Sequence, residues 1–150
     1  MQKTITELEK IINRYTLLLT SLDKNVFEAK PSLNKWSKKE IVGHMIDSAQ
    51  NNIRRFIVAQ YEDQPHIVYR QDDWVKISNY QNYPAKDLVD LWVLLNKHIC
   101  IILKNIPAEK QKSICVTEKP HTIEWLASDY NKHLLHHLHQ ALDLEPIAYS

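Results

Sequence analysis

The chain has 150 residues, of which 44% are hydrophobic and 25% charged, and its formal net charge is +1. This length suits one domain with a substantial core, and a near-neutral chain without a run of lysines or arginines argues against electrostatic binding to nucleic acids or membrane surfaces. No apolar run approaches the roughly 20 residues of a transmembrane helix, and the N-terminal residues lack a signal-peptide apolar core. We therefore expect a single cytoplasmic domain over residues 1–150.

Glycine and cysteine usage narrow the fold class. The sequence contains one glycine, and turn-rich β proteins need glycine wherever φ is positive. Helices joined by ordinary loops are therefore favoured. Two cysteines, Cys100 and Cys115, show no paired motif, so reduced thiols are expected.

Two amphipathic helices are predicted in the first 60 residues. Between Thr4 and Leu22, apolar residues recur at alternating spacings of three and four, which is the seam of a bundle helix. After a polar connection, Ser37 and Glu40 form a capping-box signature for a helix that extends to about Gln60. Its apolar arc consists of Ile41, Val42, Met45, Ile46, Ala49, Ile53, Phe56 and Ile57. A polar strip along one border of the arc consists of His44, Ser48, Asn51 and Arg55.

Gly43 lies inside the second helix, where glycine costs roughly 1 kcal/mol relative to alanine. Two explanations fit this position. One is a close backbone approach, or space for a group bound near His44. The other is ordinary packing between helices.

Two irregular connections flank a third helix, which begins near Pro84 and ends before Pro107. The first connection, residues 62–83, is long, polar and aromatic, and we expect a short helical turn within it around residues 73–78. Loops of this length are often functional, so it forms either a pocket wall or a purely structural crossover. Residues 107–121 make the second connection.

The fourth helix, predicted from Thr122 to Leu142, holds four of the eight histidines within seven residues. With successive residues about 100° apart, His137 lies inside the edge of the apolar stripe, His133 lies just beside it, and His139 is nearly opposite, in solvent. The stripe consists of Ile123, Leu126, Ala127, Tyr130, Leu134, Leu138 and Ala141. The four amphipathic helices predict an all-α fold, a four-helix bundle with long crossover connections.

His133 and His137 are four residues apart on one helical face, which is the spacing of a chelating pair. A histidine-rich polar face without any ligand is the alternative interpretation. His44 borders the arc of the second helix in the same way, so packing the two helices along their stripes makes it the best candidate for a third ligand. Imidazole suits Zn, Ni, Cu or Fe, and three ligands with an open position are typical of a catalytic site.

Motifs in the second and fourth helices resemble those of the DinB-like superfamily of four-helix-bundle proteins. The second-helix motif is similar to Trp36-Ser37-x-x-Glu40-Ile41-x-Gly43-His44-x-x-Asp47. The fourth-helix motif is similar to Asp129-Tyr130-x-x-His133-x-x-x-His137-x-x-Gln140. The resemblance covers the whole chain in helix order and length. It implies a divalent metal, Zn or Ni, bound by His44, His133 and His137, with Asp47 and Gln140 in supporting or packing roles.

The resemblance implies several activities at once, because the superfamily includes bacillithiol S-transferases, mycothiol-dependent maleylpyruvate isomerases, metal-dependent hydrolases and DNA-damage-induced proteins. The isomerases carry a long C-terminal extension that this chain lacks, which disfavours that branch. We expect a metal-dependent enzyme that activates a low-molecular-weight thiol for S-transfer to a small-molecule substrate. Arg55 is the predicted residue for holding an anionic thiol or substrate.

Three alternatives stay open. The first is a metal-dependent hydrolase, for which Asp47 and Asp129 are the candidate general bases. The second is a non-catalytic metal-binding or small-molecule-binding stress protein, and the third is a structural bundle in which the histidines never meet. The resemblance to the DinB-like superfamily also leads us to expect a homodimer.

Overall fold

Four long helices form a bundle, and two short helices lie in its connections. The structure is a computed structural model that describes residues 1–149. In chain order the helices are α1 (Gln2–Thr20), α2 (Lys24–Glu28), α3 (Lys38–Val58), α4 (Gln71–Ser78), α5 (Ala85–Asn105) and α6 (Ile123–Ala141). The predicted all-α four-helix bundle is confirmed, and the ends of α1, α3, α5 and α6 lie within two residues of their predicted positions. The single-domain assignment over 1–150 stays a prediction.

The bundle helices are not arranged in simple chain order around the core. Helices α1 and α3 each pack against both α5 and α6. The connection from α1 to α3 therefore crosses the bundle diagonally, and the 107–121 connection does the same from α5 to α6. This arrangement places α3 beside α6, so that the predicted ligands of both helices share one interface.

The connection after α5 contains a small β hairpin, where the sequence predicted only irregular chain. Strand β1 (Ile114–Val116) pairs antiparallel with β2 (Pro120–Thr122). The long connection also joins the hairpin, because the Ile67 N–H donates to the Val116 carbonyl at 2.9 Å and the Val116 N–H donates to the Pro65 carbonyl at 2.9 Å. Both connections therefore meet at one end of the bundle.

Local signals define the start of α3. The Glu40 N–H donates to Ser37 Oγ at 3.0 Å, and the Ser37 N–H donates to Glu40 Oε2 at 2.8 Å. This reciprocal capping box satisfies two of the N–H groups that a helix start leaves unpaired. The predicted box is confirmed.

Most residues of the predicted apolar faces are buried. All seven residues of the α6 stripe are buried. On α3, Ile57 is 41% exposed, because it lies about 100° around the helix from the buried Phe56. On α6, His139 is half-buried rather than in solvent, with Nε2 at 2.8 Å from the Tyr15 hydroxyl and Nδ1 at 2.7 Å from the Glu145 carbonyl.

Within residues 1–149, no helix combines the length and the apolar character needed to cross a membrane. Cys100 and Cys115 are both buried free thiols.

Candidate metal centre

Three histidines from two helices meet between α3 and α6. His44 projects from α3, and His133 and His137 project from successive turns of α6. One ring nitrogen from each lies within 4.8 Å of the others. The distances between ring centroids are 5.0 Å for His44 and His133, 4.6 Å for His44 and His137, and 4.5 Å for His133 and His137. The structure therefore brings together the three residues that the sequence predicted as ligands.

The spacing of two ring nitrogens suits a shared cation. His44 Nε2 and His133 Nε2 are 3.1 Å apart. Two imidazole nitrogens on one tetrahedral zinc ion, each about 2.0–2.1 Å from the metal, are separated by roughly 3.3 Å. A cation between these nitrogens thus requires only a small adjustment of the side chains.

Neighbouring polar groups fix the orientation of the two α6 histidines. The Gln140 amide oxygen lies 2.9 Å from His137 Nδ1. Because this oxygen only accepts hydrogen bonds, the proton of His137 belongs on Nδ1 and the lone pair on Nε2. Ser48 Oγ lies 3.4 Å from His133 Nδ1 and can act in the same way. Such partners are the usual support of metal-binding histidines.

His44 is the most deeply buried of the three, with 1% of its surface exposed. The Trp36 ring packs on it, with centroids 5.0 Å apart and planes inclined by 33°. Its Nδ1 has no hydrogen-bond partner among the described residues. A buried polar atom without a partner carries a free-energy cost, and the packing around His44 maintains that arrangement.

Burial keeps the three imidazoles neutral. Desolvation, with a smaller contribution from His137, lowers the pKa of His44 to about 3. Desolvation and then His137 lower the pKa of His133 to about 2. The pKa of His137 is also lowered, chiefly by burial. At neutral pH all three rings are therefore in the form that binds metals.

Gly43 makes room for an aromatic ring. A Cβ atom at Gly43 would lie 2.1 Å from Cδ2 of Tyr80, far inside contact distance. Tyr80 lies in the long connection, and its hydroxyl donates a short hydrogen bond to Asp47 Oδ1. Of the two explanations offered for Gly43, the close approach is correct, and the approaching group is a side chain of the protein.

Asp47 is fully buried in this contact and lies outside the histidine cluster. Its second oxygen, Oδ2, has no partner among the described residues. Desolvation raises the pKa of Asp47 to about 6, although the hydrogen bond from Tyr80 opposes the shift. Asp47 therefore holds Tyr80 against α3 and does not face the cleft described next.

A polar cleft of about 910 Å³ begins at His133. Its walls are α3, the N-terminal half of α6, the 68–73 segment of the long connection and the tip of the hairpin. The predicted function of the long connection as a pocket wall therefore agrees with its position. The aromatic lining includes Tyr69 and a Trp125 ring that stacks on His121 with centroids 3.7 Å apart.

Arg55, the predicted cofactor-binding residue, lines this cleft together with Ser48 and Asn52. Its Nε and Nη2 donate to the Ile67 carbonyl at 3.2 and 3.0 Å. Asn51, which the sequence placed on the same strip, instead donates from its side chain to the Asp47 carbonyl and is buried. Asn52 takes its place in the cleft wall.

Tyr149 is a site residue that the sequence analysis missed. Its ring packs on His133 with centroids 5.4 Å apart, and its hydroxyl donates to Asp129 Oδ2 at 2.7 Å. The segment before it is held by a 2.6 Å contact between His136 Nδ1 and the Ile147 carbonyl. No local sequence signal marks this position, because the segment after α6 is irregular.

The fold and the cluster together define a class: a four-helix bundle with a three-histidine centre suited to a divalent metal, next to an open polar cleft. A family model agrees with this class, since residues 7–141 match the DinB superfamily. The chain therefore belongs to the DinB superfamily, as its two motifs predicted.

Two relatives have names that refer to metals. A protein of Halalkalibacterium halodurans named "Putative metal-dependent hydrolase" is 28% identical over 109 residues, which are 72% of this chain and 63% of that protein. A protein of Bacillus mycoides with the same designation is 25% identical over 114 residues, 75% of this chain and 66% of that protein. The match thus spans slightly less than two thirds of either relative.

Solved structures share the fold. YfiT from Bacillus subtilis, described as having an unusual four-helix bundle topology, superposes with a TM-score of 0.85 at 18% identity, covering 95% of this chain and 83% of YfiT. A mycothiol-dependent maleylpyruvate isomerase superposes with a TM-score of 0.73 at 14% identity, covering 98% of this chain and 61% of the isomerase. At these identities the likeness concerns the fold alone.

Proposed function

We propose that this protein is a metal-dependent enzyme that activates a low-molecular-weight thiol for S-transfer to a small electrophilic substrate. His44, His133 and His137 would hold a divalent cation, Zn or Ni. The observation that carries the proposal is the meeting of three neutral imidazoles, one buried and two half-buried, at the end of an open polar cleft.

The residues fit such a cation. Three imidazoles form a ligand set of the kind that Zn and Ni accept, and a catalytic site keeps a further position open. When bound, the cation supplies Lewis acidity, which lowers the pKa of a thiol or of water. Gln140 and Ser48 keep the His137 and His133 rings turned toward the centre.

The neighbouring carboxylates favour a thiol over water as the nucleophile. Asp47 is buried against Tyr80, and Asp129 accepts the hydroxyl of Tyr149. Hydrolysis profits from a free general base, and neither carboxylate is free. A thiol has an ordinary pKa of about 8.5, far closer to neutrality than that of water, so it can ionise without such a base.

The reaction then proceeds along the cleft. The thiol loses its proton to solvent, its sulfur forms a bond to the electrophilic carbon, and the leaving group departs with the bonding electron pair. The residues of the chain position the reactants. Trp36, Gln140 and Ser48 fix the orientation of the imidazoles, and the aromatic side chains of the cleft exclude water from the substrate. A thiol also serves the mycothiol-dependent isomerase whose fold this chain shares.

Metal content of untagged protein, measured by mass spectrometry, tests the cation site. We expect about one Zn or Ni per chain in the wild type and nearly none in His44→Ala. His98→Ala is a matched control, because His98 lies exposed on α5 outside the cluster, and it should retain the metal. If the wild type stays without metal after incubation with Zn and Ni, the proposal is wrong.

A transfer assay tests the thiol. Metal-loaded protein is incubated with a chromogenic aryl halide and a set of low-molecular-weight thiols, and thioether formation is followed. Turnover that requires both thiol and metal, and that disappears in His44→Ala, supports S-transfer. Stoichiometric metal without thiol-dependent turnover would reduce the protein to a metal-binding protein.

Hydrolysis is the second candidate function, because two relatives are named as hydrolases. Asp129 is the better general base for it, since it lines the cleft and lies one turn before His133. Its use requires that Tyr149 release it. Ester or amide cleavage that increases in Tyr149→Phe and is lost in Asp129→Asn would favour this function over thiol transfer.

A further inference from the structure

Arg55 is a half-buried cation that forms no direct ion pair, and Asp129 interacts with its charge only at longer range. Its hydrogen bonds go to the Ile67 carbonyl at 3.0 and 3.2 Å and to the Asn52 side-chain oxygen at 3.4 Å, which are neutral acceptors. Across residues 1–149, no carboxylate forms an ion pair with its guanidinium. Burial also lowers the pKa of Arg55 below its ordinary value, although a guanidinium stays charged at neutral pH.

Another buried cation of the chain is paired: the Lys39 ammonium, with a side chain that is 3% exposed, lies 3.0 Å from Glu28. Even Arg70, whose side chain is 87% exposed on the rim of the same cleft, lies 2.7 Å from Asp73. Buried charges are normally paired in this way. The unpaired guanidinium in the cleft wall therefore indicates a place for an anion.

The position of Arg55 along α3 gives the length of the ligand. Ser48 contacts His133 at one end of the cleft, and Arg55 follows seven residues later on the same wall. At 1.5 Å per residue, this separation is about 10 Å. Tyr69, which belongs to the long connection, packs beside the guanidinium, and its ring centroid is 5.9 Å from Arg55 Cζ.

We infer that Arg55 anchors the carboxylate of an extended thiol whose sulfur reaches the histidine cluster, about two helical turns away along α3. The thiol end of this inference rests on the proposed function, whereas the carboxylate end rests on Arg55 alone. A guanidinium offers two parallel N–H groups to a carboxylate. The ligand class is thus an elongated, carboxylate-bearing thiol of roughly dipeptide length or more.

The other charges of the cleft restrict where an anion can bind. Four carboxylates line it: Asp73 is paired with Arg70, Asp129 accepts the hydroxyl of Tyr149, and the other two belong to Asp72 and Glu118. Besides Arg55, the lining contains two cations, Arg70 and Lys119, and both are exposed. Because Arg55 is half-buried, it is the one of these cations that can hold a ligand carboxylate inside the cleft, with the thiol directed toward His133.

Matched synthetic ligands test both ends of the inference separately. The probes are 8-mercaptooctanoate, 8-mercaptooctanol, octanoate and the short acid 3-mercaptopropionate, and their binding to metal-loaded protein is measured by calorimetry. A carboxylate on a guanidinium contributes as a charged hydrogen bond, so we expect 8-mercaptooctanoate to bind about 10- to 100-fold more tightly than 8-mercaptooctanol. The short acid, which cannot span both groups, should show no such advantage.

Three variants assign the effect to one residue. Arg55→Gln should abolish the preference for the acid, and Arg55→Lys, which keeps the charge but not the two parallel donors, should retain part of it. Arg54→Gln is the matched control, because it removes the same charge from the adjacent, exposed position outside the cleft. The preference is a ratio within each variant, and it remains interpretable when a variant is less stable than the wild type.

The outcomes separate this inference from the proposed function. Equal affinity of the wild type for the long acid and the long alcohol overturns the carboxylate anchor while leaving thiol activation intact. Octanoate that binds to the wild type but not to Arg55→Gln, with no gain from adding the thiol, supports the anchor and contradicts the thiol. A preference that survives in Arg55→Gln but not in Arg54→Gln overturns the assignment to Arg55.

Discussion

Two neighbouring stretches of α3 bury polar side chains in opposite ways. In the first turn, Ser37 and Glu40 exchange cap hydrogen bonds, and Lys39 is held by the Glu28 carboxylate and by the Gln81 carbonyl at 3.0 Å. One turn later, His44 meets two side chains of its own kind, and its Nδ1 has no partner. The first stretch, the matched turn, pairs donors with acceptors, whereas the histidine cluster gathers Lewis bases.

The difference distinguishes groups that stabilise the fold from groups that await a ligand. A matched pair recovers the free energy lost when its members leave water. Three neutral imidazoles recover little from one another, and the complement of such a cluster is a cation. The comparison predicts that the matched turn responds to mutations through stability and that the histidine cluster responds through metal.

The largest expected effect is stabilisation by metal. Zn or Ni in thousandfold excess over its dissociation constant should raise the free energy of unfolding of the wild type by about 4 kcal/mol, because the cation binds the folded chain. Denaturant titrations with metal and with a chelator measure this difference. His133→Ala should lose it, and His98→Ala should keep it. An equal effect of metal in His133→Ala would show that the histidine cluster does not hold the cation.

The second effect tests the matched turn. Glu28→Gln leaves the Lys39 ammonium buried with one carbonyl partner, and we expect a loss of about 2–3 kcal/mol in the free energy of unfolding, somewhat below the usual cost of breaking a buried pair because Glu28 is partly exposed. Chemical denaturation measures this loss, and metal content should not change. Glu9→Gln breaks the exposed pair with Lys104 and, as the control, should cost less than about 1 kcal/mol.

The third effect is the pH dependence of the metal-free protein. The folded-state pKa values of His44 and His133, about 3 and 2, lie below the ordinary 6.5. The unfolded chain therefore takes up protons first as the pH falls below 6.5, and stability decreases. Asp47, with its pKa raised to about 6, acts in the opposite direction as the pH falls toward 4.

Between pH 7.5 and 5.5 the net loss should be about 2 kcal/mol. Thermal denaturation in the presence of a chelator measures it at both values. Asp47→Asn removes the opposing group and should make the loss larger. Stability that stays constant over this range in the wild type would mean that the rings are charged or exposed.

The fourth effect concerns the contact between Tyr80 and α3. Gly43→Ala places a methyl group inside the Tyr80 ring, and overpacking should cost about 1–2 kcal/mol after the gain in helix propensity. Tyr80→Ala removes the obstacle. The double variant should therefore lose less free energy of unfolding than the two single variants lose together. Denaturation of the four proteins in a double-mutant cycle measures this difference. Strict additivity would exclude the steric explanation.

The smallest effect concerns the support that Gln140 gives to the histidine cluster. Gln140→Leu removes the acceptor that orients His137, and metal affinity should fall about tenfold, the lower end for a supporting residue because Gln140 is exposed. Competition with a metal indicator measures this change. The stability of the metal-free variant should match the wild type, and a large loss there would assign Gln140 to the fold instead.

Much of the fold could be predicted from the sequence because its signals are local. The α6 stripe follows from a repeat within 20 residues, and the cap of α3 follows from two residues three apart. The meeting of His44 with His133 and His137 was predictable for the same reason, since each lies at the border of an apolar stripe and stripes pack together.

What the sequence did not reveal depends on contacts between distant segments. The β hairpin gains its third partner from residues 65–67, about 50 positions earlier in the chain. The ring that requires Gly43 comes from Tyr80, in a connection without periodicity. Tyr149 reaches His133 because carbonyl contacts to His136 and His139 hold the segment after α6. The sequence predicted Asn51 on the polar strip, whereas Asn52 lines the cleft. Such an error of one residue arises because neighbours on a helix differ by only about 100°.

The distance along the chain between the two halves of the histidine cluster has a kinetic consequence. His44 and His133 are 89 residues apart, so an ion held by both would link the N-terminal part of the chain to its C-terminal part. With such an ion bound, helices α3 and α6 would separate only after it releases one of them, and the rate of unfolding would be tied to the rate of metal exchange. The buried thiols form no covalent link. A reversible metal cross-link of this kind would make the lifetime of the protein in the presence of proteases depend on the supply of metal.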